Sequence, residues 1–366
     1  MKIAFDHQIF CLQNYGGISR YFSRIAEQML LENNEVGIFS PLHRNLYLKD
    51  LPLGTVHGRQ AEKYWPRTTR LALIGNHLVG QQAMRRWRPQ IVHETYYSRF
   101  GPAPEGCPVV LTVYDMIHEL FPESFSPKDK TTLLKRRAVE RADHVICISE
   151  STRQDLMRLF AVPESKLSVV HLGFEQFKPV LGSPGARSSR PYLLYVGSRS
   201  GYKNFFGLLQ AVATSNCLKS DFDIVAFGGG GFSRSEQELI EKLGFSPEQV
   251  SQTGGDDAVL ADLYDGARAF VYPSLYEGFG LPPLEAMAHS CPVVSSDASS
   301  MPEVIGEAGV FFNPARHDEM AAAIERVVYS DSEVSRLIKR GHERLAHFSW
   351  QRCAQDTLSI YQSLQR

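Results

Sequence analysis

Nowhere in the 366 residues do roughly 18 uncharged apolar positions follow one another, the length a helix needs to cross a bilayer, so any membrane contact is expected to be peripheral. The opening residues MKIAFDHQIF also lack the long apolar core of a secretory leader. One lysine precedes a short strand-like run broken by Asp6 and His7, and a cytoplasmic protein is the expectation. Cysteine is sparse and unpatterned. The six, at positions 11, 107, 147, 217, 291 and 353, show neither CxxC nor metal-ligand spacing, which fits reduced thiols rather than a disulfide framework. A complete G-x-G-x-x-G is missing. D-x-D occurs once, as Asp221-Phe222-Asp223 entering a buried-looking strand, where a metal would be poorly placed, so no metal site is expected.

What is present is an ordinary globular composition, 43% hydrophobic and 22% charged. At roughly 150 residues per domain the length predicts two domains. Strand-like and helix-like segments alternate from end to end, the pattern of parallel sheets flanked by helices, an α/β fold wound twice. The expected division is a first Rossmann-like domain at 1–174, a linker at 175–190 rich in Pro, Gly and Ser, a second Rossmann-like domain at 191–348, and a C-terminal helix at 349–366. The apolar positions Trp350, Cys353, Leu358, Tyr361 and Leu364 of that helix recur at near-helical spacing, and the surface it covers is expected to be the first domain.

Charge is uneven although the total is only −1. Residues 1–174 hold 22 Lys and Arg against 17 Asp and Glu, net +5, which leaves −6 for the remainder. Two clusters carry the excess: Arg85, Arg86 and Arg88 in MRRWRP, and Lys135, Arg136, Arg137 and Arg141 on a predicted helix at 128–142. An anionic membrane leaflet would fit them, and so would two solvated helix faces.

The most informative segment is ARAFVYPSLYEGFGLPPLEAMAHSCPVVSSD. A buried strand feeds a glycine-containing loop and then a helix at 282–290 opened by Pro282 and Pro283, residues suited to a first turn where an amide proton has no partner. Glu277 falls in the loop and Glu285 in the helix. Carboxylates of this kind accept paired hydrogen bonds from vicinal hydroxyls and so suit a ribose or a hexose; the plainer reading is a loop charge and a satisfied helix residue. Gly278 and Gly280 permit close backbone approach. The amides around Phe279, Gly280 and Leu281 are candidates for holding phosphate oxygens at a helix start.

YEGFGLPPLEAM resembles the E-x7-E signature of retaining GT-B glycosyltransferases, in particular the large family 4, whose members include bacterial mannosyltransferases of surface-polysaccharide assembly. The likeness spans nearly the whole chain through Gly16-Gly17-Ile18, TVYDMIHELFP, ADHVICISESTRQDL, YVGSRSGYKNF and SSMPEV. It implies a GT-B fold of two Rossmann-like domains facing a central cleft, with a nucleotide-diphosphate sugar as donor substrate and no cofactor. It further implies that Glu285 binds the donor ribose, that Glu277 lies near the transferred hexose, and that Arg199 and Lys203 clamp the diphosphate. Two cations after a strand and at a helix start suit that task, because a leaving diphosphate gains charge as the glycosidic bond breaks.

Gly16 and Gly17, read as the turn between a first strand and a helix from Ile18, are placed by the resemblance against donor phosphate and acceptor. Gly228 to Gly231 read as a sharp turn facing the donor. Asp115 ends a predicted strand, at the edge where ligands meet parallel sheets; it either assists the reacting centre or caps a helix. The family often has His-Asp here, where this chain has Tyr114, with His118 shortly after.

The implied chemistry is a metal-independent retaining transfer. GDP-mannose or a GDP-deoxyhexose leads as donor and UDP-linked glucose or N-acetylglucosamine follows. The expected acceptor is a saccharide, carried on a lipid at the inner face of the cytoplasmic membrane; no nucleic-acid partner is expected. A nucleotide-sugar epimerase and a non-catalytic sugar-nucleotide-binding module are the alternatives.

Overall fold

In the computed structural model the chain is described over residues 1–366 except 62–63, 65–67, 176–189, 200 and 366, with Arg70 described in its backbone only. The expected linker thus falls almost wholly outside the described residues. Two compact units are formed, the first from Met1–Leu120, Phe125–Gly173 and Ser349–Arg366, the second from Phe121–Ser124 and Phe174–Phe348. The stretch 121–124 departs from the expected division. The Phe121 ring lies 5.5 Å from Tyr202 and 6.2 Å from Tyr276, and so packs with the second unit.

The first unit is built on β1 (Lys2–Phe5), β2 (Glu35–Ile38), the small pair β3 (Leu42–His43) and β4 (Arg59–Gln60), β5 (Ile91–Glu94), β6 (Val109–Val113), β7 (His144–Cys147) and β8 (Leu167–Val169). Six of them form a parallel sheet in the order β2-β1-β5-β6-β7-β8. Ile3, Phe5, Ile91, Val92, Leu111 and Val145 are wholly buried, as expected of a parallel sheet covered by helices on both faces.

The helix Trp350–Ser363 belongs to this unit. Its buried stripe is Cys353, Ala354, Thr357, Leu358 and Tyr361, and Trp350 lies 6.3 Å from the Tyr21 ring. The Tyr361 hydroxyl is 2.6 Å from Nδ1 of His93 in β5, whose Nε2 is 2.8 Å from Thr112 Oγ1. Burial drives the His93 ring from its usual 6.5 down to about 3. The folded chain keeps this ring neutral while an unfolded chain protonates it below pH 6.5. The associated stability is therefore complete above pH 6.5 and is lost as pH falls toward 3, by about 1.4 kcal/mol per pH unit. The two tryptophans among the described residues, Trp87 and Trp350, lie in the first unit. Urea unfolding followed by tryptophan fluorescence between pH 6.5 and 4 should show this slope, and His93→Gln should flatten it.

The second basic cluster is not the surface that its sequence suggests. Lys135 is wholly buried, its Nζ 2.7 Å from Glu119 Oε2 and 2.8 Å from the Asp115 carbonyl. Arg141 turns inward to the buried Glu94 carboxylate and donates to the Ser98 carbonyl. Of the four basic residues, only Arg136 and Arg137 remain exposed on the helix Thr131–Arg141. A helix three or four residues per turn cannot show four basic residues of seven on one face, and the inward two are matched by acids from β5 and from the segment after β6.

The second unit repeats the plan with β9 (Tyr192–Val196), β10 (Asp223–Phe227), β11 (Val250–Thr253), β12 (Ala269–Tyr272), β13 (Val293–Ser296) and β14 (Gly309–Phe312). These form a parallel sheet in the order β11-β10-β9-β12-β13-β14. One face is covered by Phe205, Leu208, Leu209 and Val212 of the helix Phe205–Thr214 and by Met320, Ile324 and Val327 of the helix His317–Val328. Strand order reverses between β9 and β12. In such sheets the loops at the carboxyl ends of the two strands flanking the reversal open a crevice where ligands bind.

Candidate active site

Those two loops carry the side chains in question. After β9 the chain passes Gly197, whose φ of +133° suits glycine, and makes a short turn at Gly201–Lys203 before the helix Phe205–Thr214. After β12 it runs through Pro273 to Gly280 into the helix Leu281–Ala288, with Pro282 and Pro283 in the first turn. The loops are laced together: the Leu275 amide donates to the Tyr202 carbonyl at 2.7 Å, and Asn204 Nδ2 donates to the carbonyls of Pro273 and Pro314, each at 3.0 Å.

Across this crevice Lys203 Nζ sits 2.7 Å from Oε1 and 2.9 Å from Oε2 of Glu277, with the two side chains 17% and 9% exposed. An ammonium bonded to both oxygens of one carboxylate is a largely desolvated pair, held where the sheet opens. The Tyr202 and Tyr272 rings lie 5.4 and 5.9 Å from the ammonium. Burial, and then the Glu277 charge, push the Tyr272 hydroxyl well above its usual range, so it stays protonated.

The Glu277 loop is fixed by the segment after β13. The Glu277 amide donates to Ser299 Oγ at 2.8 Å, and the Ser300 hydroxyl shares its proton between the carbonyls of Glu277 (2.9 Å) and Phe279 (2.8 Å). Ser300 is fully buried. Ser300→Ala should lower stability by about 1–2 kcal/mol and raise the donor KM, as read from a melting curve and from initial rates. Gly280 needs its residue type. Its φ is +106°, and an added Cβ would meet Met301 Cε at 2.6 Å. Gly278 has no such φ, while Phe279 is buried edge-to-face against Phe348 at 5.7 Å. Because Pro282 and Pro283 have no N–H, an anion at this helix start would meet the amides around Phe279, Gly280 and Leu281.

One turn into the helix, Glu285 Oε2 accepts from the Tyr264 hydroxyl at 3.1 Å. Tyr264 is wholly buried, and burial with the Glu285 charge keeps its proton on. Sequence reasoning missed Tyr264, because 21 positions separate it from Glu285 and nothing local marks it.

Arg199 has a different occupation from the diphosphate clamp that the sequence suggests. Its side chain is 3% exposed. Nε donates to Glu236 Oε1 at 2.7 Å, Nη1 to the Gly228 carbonyl at 2.6 Å, and Nη2 to those of Gly230 and Gly231 at 2.7 and 3.0 Å. Three of its five N–H groups thus hold the glycine turn after β10, in which Gly228, Gly229 and Gly230 have φ of +93°, +72° and +71°, and a fourth holds Glu236. Burial acts to raise the Glu236 carboxyl, but hydrogen bonds from Ser233 and Arg199 and the guanidinium charge hold it below its ordinary value. The fixed turn and Arg199 line an open cavity of about 520 Å³ together with Ser198, Asn204 and Phe206.

The remaining predicted residues lie in the first unit. Gly16 and Gly17 are not the first strand-to-helix turn, because a short helix, Gln8–Leu12, intervenes after β1. Gly16 caps the helix Gly17–Leu31, and a Cβ there would stand 2.3 Å from Gln13 Oε1, which accepts from the Ser19 amide. Asp115 accepts from the Ile117 amide at 3.1 Å, the capping arrangement. The Tyr114 hydroxyl is buried and donates to the Thr95 carbonyl, and His118 is stacked on Phe125 at 3.8 Å. Asp221 accepts from Tyr329, and Asp223 begins β10 at the sheet edge opposite Lys203 and Glu277, facing Arg190.

Two family models cover most of the chain: Glycosyltransferase Family 4 matches residues 15–175 and Glycosyl transferases group 1 matches residues 180–344. The chain is 31% identical over 269 residues to the O-antigen chain mannosyltransferase B of Escherichia coli, covering 70% of each. It is 32% identical over 235 residues to the MMP alpha-(1->4)-mannosyltransferase of Mycolicibacterium hassiacum, covering 63% of this chain and 56% of that one. Among solved structures, sucrose-phosphate synthase from Thermosynechococcus elongatus superposes with a TM-score of 0.74 at 20% identity, over 99% of this chain and 98% of that one.

Proposed function

The chain belongs to the family 4, group 1 glycosyltransferases, and from that premise we propose that it transfers mannose or a related deoxyhexose from a GDP-linked donor to a saccharide on a lipid carrier. The transfer retains configuration and uses no metal. The observation that carries this is the Lys203–Glu277 pair at the strand reversal. One cation and one carboxylate, already stripped of most of their water, occupy the crevice where a sugar diphosphate would offer an anion to the first and hydroxyls to the second.

In this reading the arriving diphosphate takes the Lys203 ammonium, and Glu277 turns to the hexose hydroxyls. As the bond from the sugar anomeric carbon to the phosphate oxygen breaks, Lys203 stabilises the charge gathering on the diphosphate. The acceptor oxygen bonds to the same carbon from the same face, and its proton passes to the departing phosphate oxygen. No protein base is required, only positioning. Glu285, oriented by Tyr264, receives the ribose hydroxyls. The single D-x-D lies at the far edge of the sheet, which supports the metal-independent reading. The donor and acceptor assignments draw their support from the relatives named as mannosyltransferases of O-antigen.

Thermal-shift titration with GDP-, UDP-, dTDP- and ADP-linked sugars tests the donor, since a ligand bound only by the folded state raises the melting temperature. GDP-mannose should give the largest shift, and a larger shift with a UDP-sugar would replace it. Incubation with donor alone should yield no isomerised nucleotide sugar. Glu285→Ala should raise the donor KM by about 10- to 100-fold, the loss of hydrogen bonds to a charged group, with little change in melting temperature.

A further inference from the structure

The helix Thr69–Trp87 in the first unit is turned inside out relative to an ordinary surface helix. Its buried stripe is Asn76, Gly80 and Met84. Asn76 spends its amide on the backbone, accepting from the Leu42 N–H at 2.7 Å and donating to the Leu42 and Ala72 carbonyls. Gly80 lies where a Cβ would stand 3.2 Å from the Phe39 carbonyl. The opposite face is apolar and open to solvent, with Leu71 68%, Ile74 58%, Leu78 62% and Val79 55% exposed. Positions i, i+3, i+7 and i+8 make one stripe, and Arg85 and Arg86 continue it toward the C-terminal end.

Single exposed apolar side chains are commonplace, but four neighbouring ones on a helix that turns Asn76 inward require a covering surface. The charge around them selects which. Residues 63–93 contain six Lys and Arg and no Asp or Glu. Arg85, Arg86 and Arg88 are exposed, and Arg85 and Arg88 border an open concavity of about 600 Å³ with Pro104, Gly106 and Gln90. An apolar stripe ending in three exposed arginines, against the single acid Glu105 on the rim of that concavity, matches an anionic lipid surface: acyl chains for the first half of the helix, headgroup phosphates for the arginines.

We propose that the helix Thr69–Trp87 is a membrane-docking element that seats the first unit on anionic lipid through Leu71, Ile74 and Leu78, with Arg85, Arg86 and Arg88 at the phosphate level. The surface is read from the helix itself; its use, bringing the enzyme to its acceptor, rests on the lipid-linked acceptor proposed above. Arg136 and Arg137, left exposed by the inward turn of Lys135 and Arg141, have no apolar stripe beside them and take no part.

Flotation of the full chain with vesicles of phosphatidylcholine alone, or with one third phosphatidylglycerol, tests this in 0.1 and 0.5 M NaCl. The wild type should float with the anionic vesicles and weaken in high salt. Leu71→Gln, Ile74→Gln and Leu78→Gln combined should lower binding more than tenfold at both salts. Arg85→Gln, Arg86→Gln and Arg88→Gln combined should lower it on the order of 100-fold and remove the salt dependence. Arg136→Gln with Arg137→Gln should change nothing. Absence of wild-type binding, equal binding to neutral vesicles, or wild-type binding by the triple Gln variant of the apolar stripe would overturn the proposal. So would a dimer in sedimentation velocity that this variant dissociates without any vesicle binding, which would assign the stripe to a second copy. Donor-induced thermal shifts should persist in every variant. Their absence throughout would count against the transferase reading and leave the docking result standing by itself.

Discussion

Lys203→Ala is expected to lower kcat by about 10²–10³, the usual consequence of removing one preorganised group from a developing oxyanion. Two roles are open to this ammonium. It neutralises Glu277 in the structure described here, and it is assigned the leaving diphosphate during turnover. A purely structural role would mean that Lys203→Ala harms the enzyme by leaving Glu277 as a 9% exposed charge without this partner. Adding Glu277→Gln would then remove the unpaired charge and restore activity. The catalytic role predicts no rescue, because the diphosphate still lacks its cation. Nucleoside diphosphate release at saturating donor, measured for both single variants and the double, separates the two. A double variant near wild-type rate would end the assignment.

Arg199→Met should have the other large effect, and it should appear first as lost stability. The substitution removes the partner of a nearly buried Glu236 and three donor bonds from the glycine turn. Breaking a buried pair from one side costs about 3–5 kcal/mol, which for a unit of this size lowers its melting temperature by about 10 °C. A residue that served only to clamp the donor would instead leave the melting temperature unchanged and raise the donor KM. Calorimetry of the free protein therefore distinguishes the two uses before any assay of transfer. Arg199→Met with Glu236→Leu should recover part of the loss, since two well-packed apolar side chains leave no buried charge behind.

Sequence made the sheets legible from their strands, while the family resemblance, not the strand pattern, put Lys203 and Glu277 in one donor site. Parallel strands buried on both faces read as uninterrupted apolar runs, such as YLLYV and AFVY. Loops that follow two such strands at a strand reversal must approach each other, so motifs after β9 and β12 meet although 74 positions separate them. Side-chain direction was not legible. Arg199 and Lys203 are four residues apart in one loop, yet one faces the crevice and the other the glycine turn; the Glu236 that draws it there lies 37 positions away. The same limit explains Lys135 and Arg141, whose acids come from other segments. It explains the helix Thr69–Trp87 as well: its sequence displays arginines and leucines, but only the Asn76 hydrogen bonds to Leu42 decide which side is inward. The short helix Gln8–Leu12 and the edge strand β14 escape because four or five residues carry too little periodicity to register.

The last residues of the chain complete the unit that contains its first. Because the helix Trp350–Ser363 supplies Tyr361 to His93 and Trp350 beside Tyr21, a nascent chain cannot finish its amino-terminal half when that half emerges from the ribosome. The second unit, contiguous but for residues 121–124, has nearly all its sequence available earlier. The usual order of synthesis is thereby inverted: the part translated first matures last, and until then the surface around Tyr21 and His93 is one for chaperones to guard.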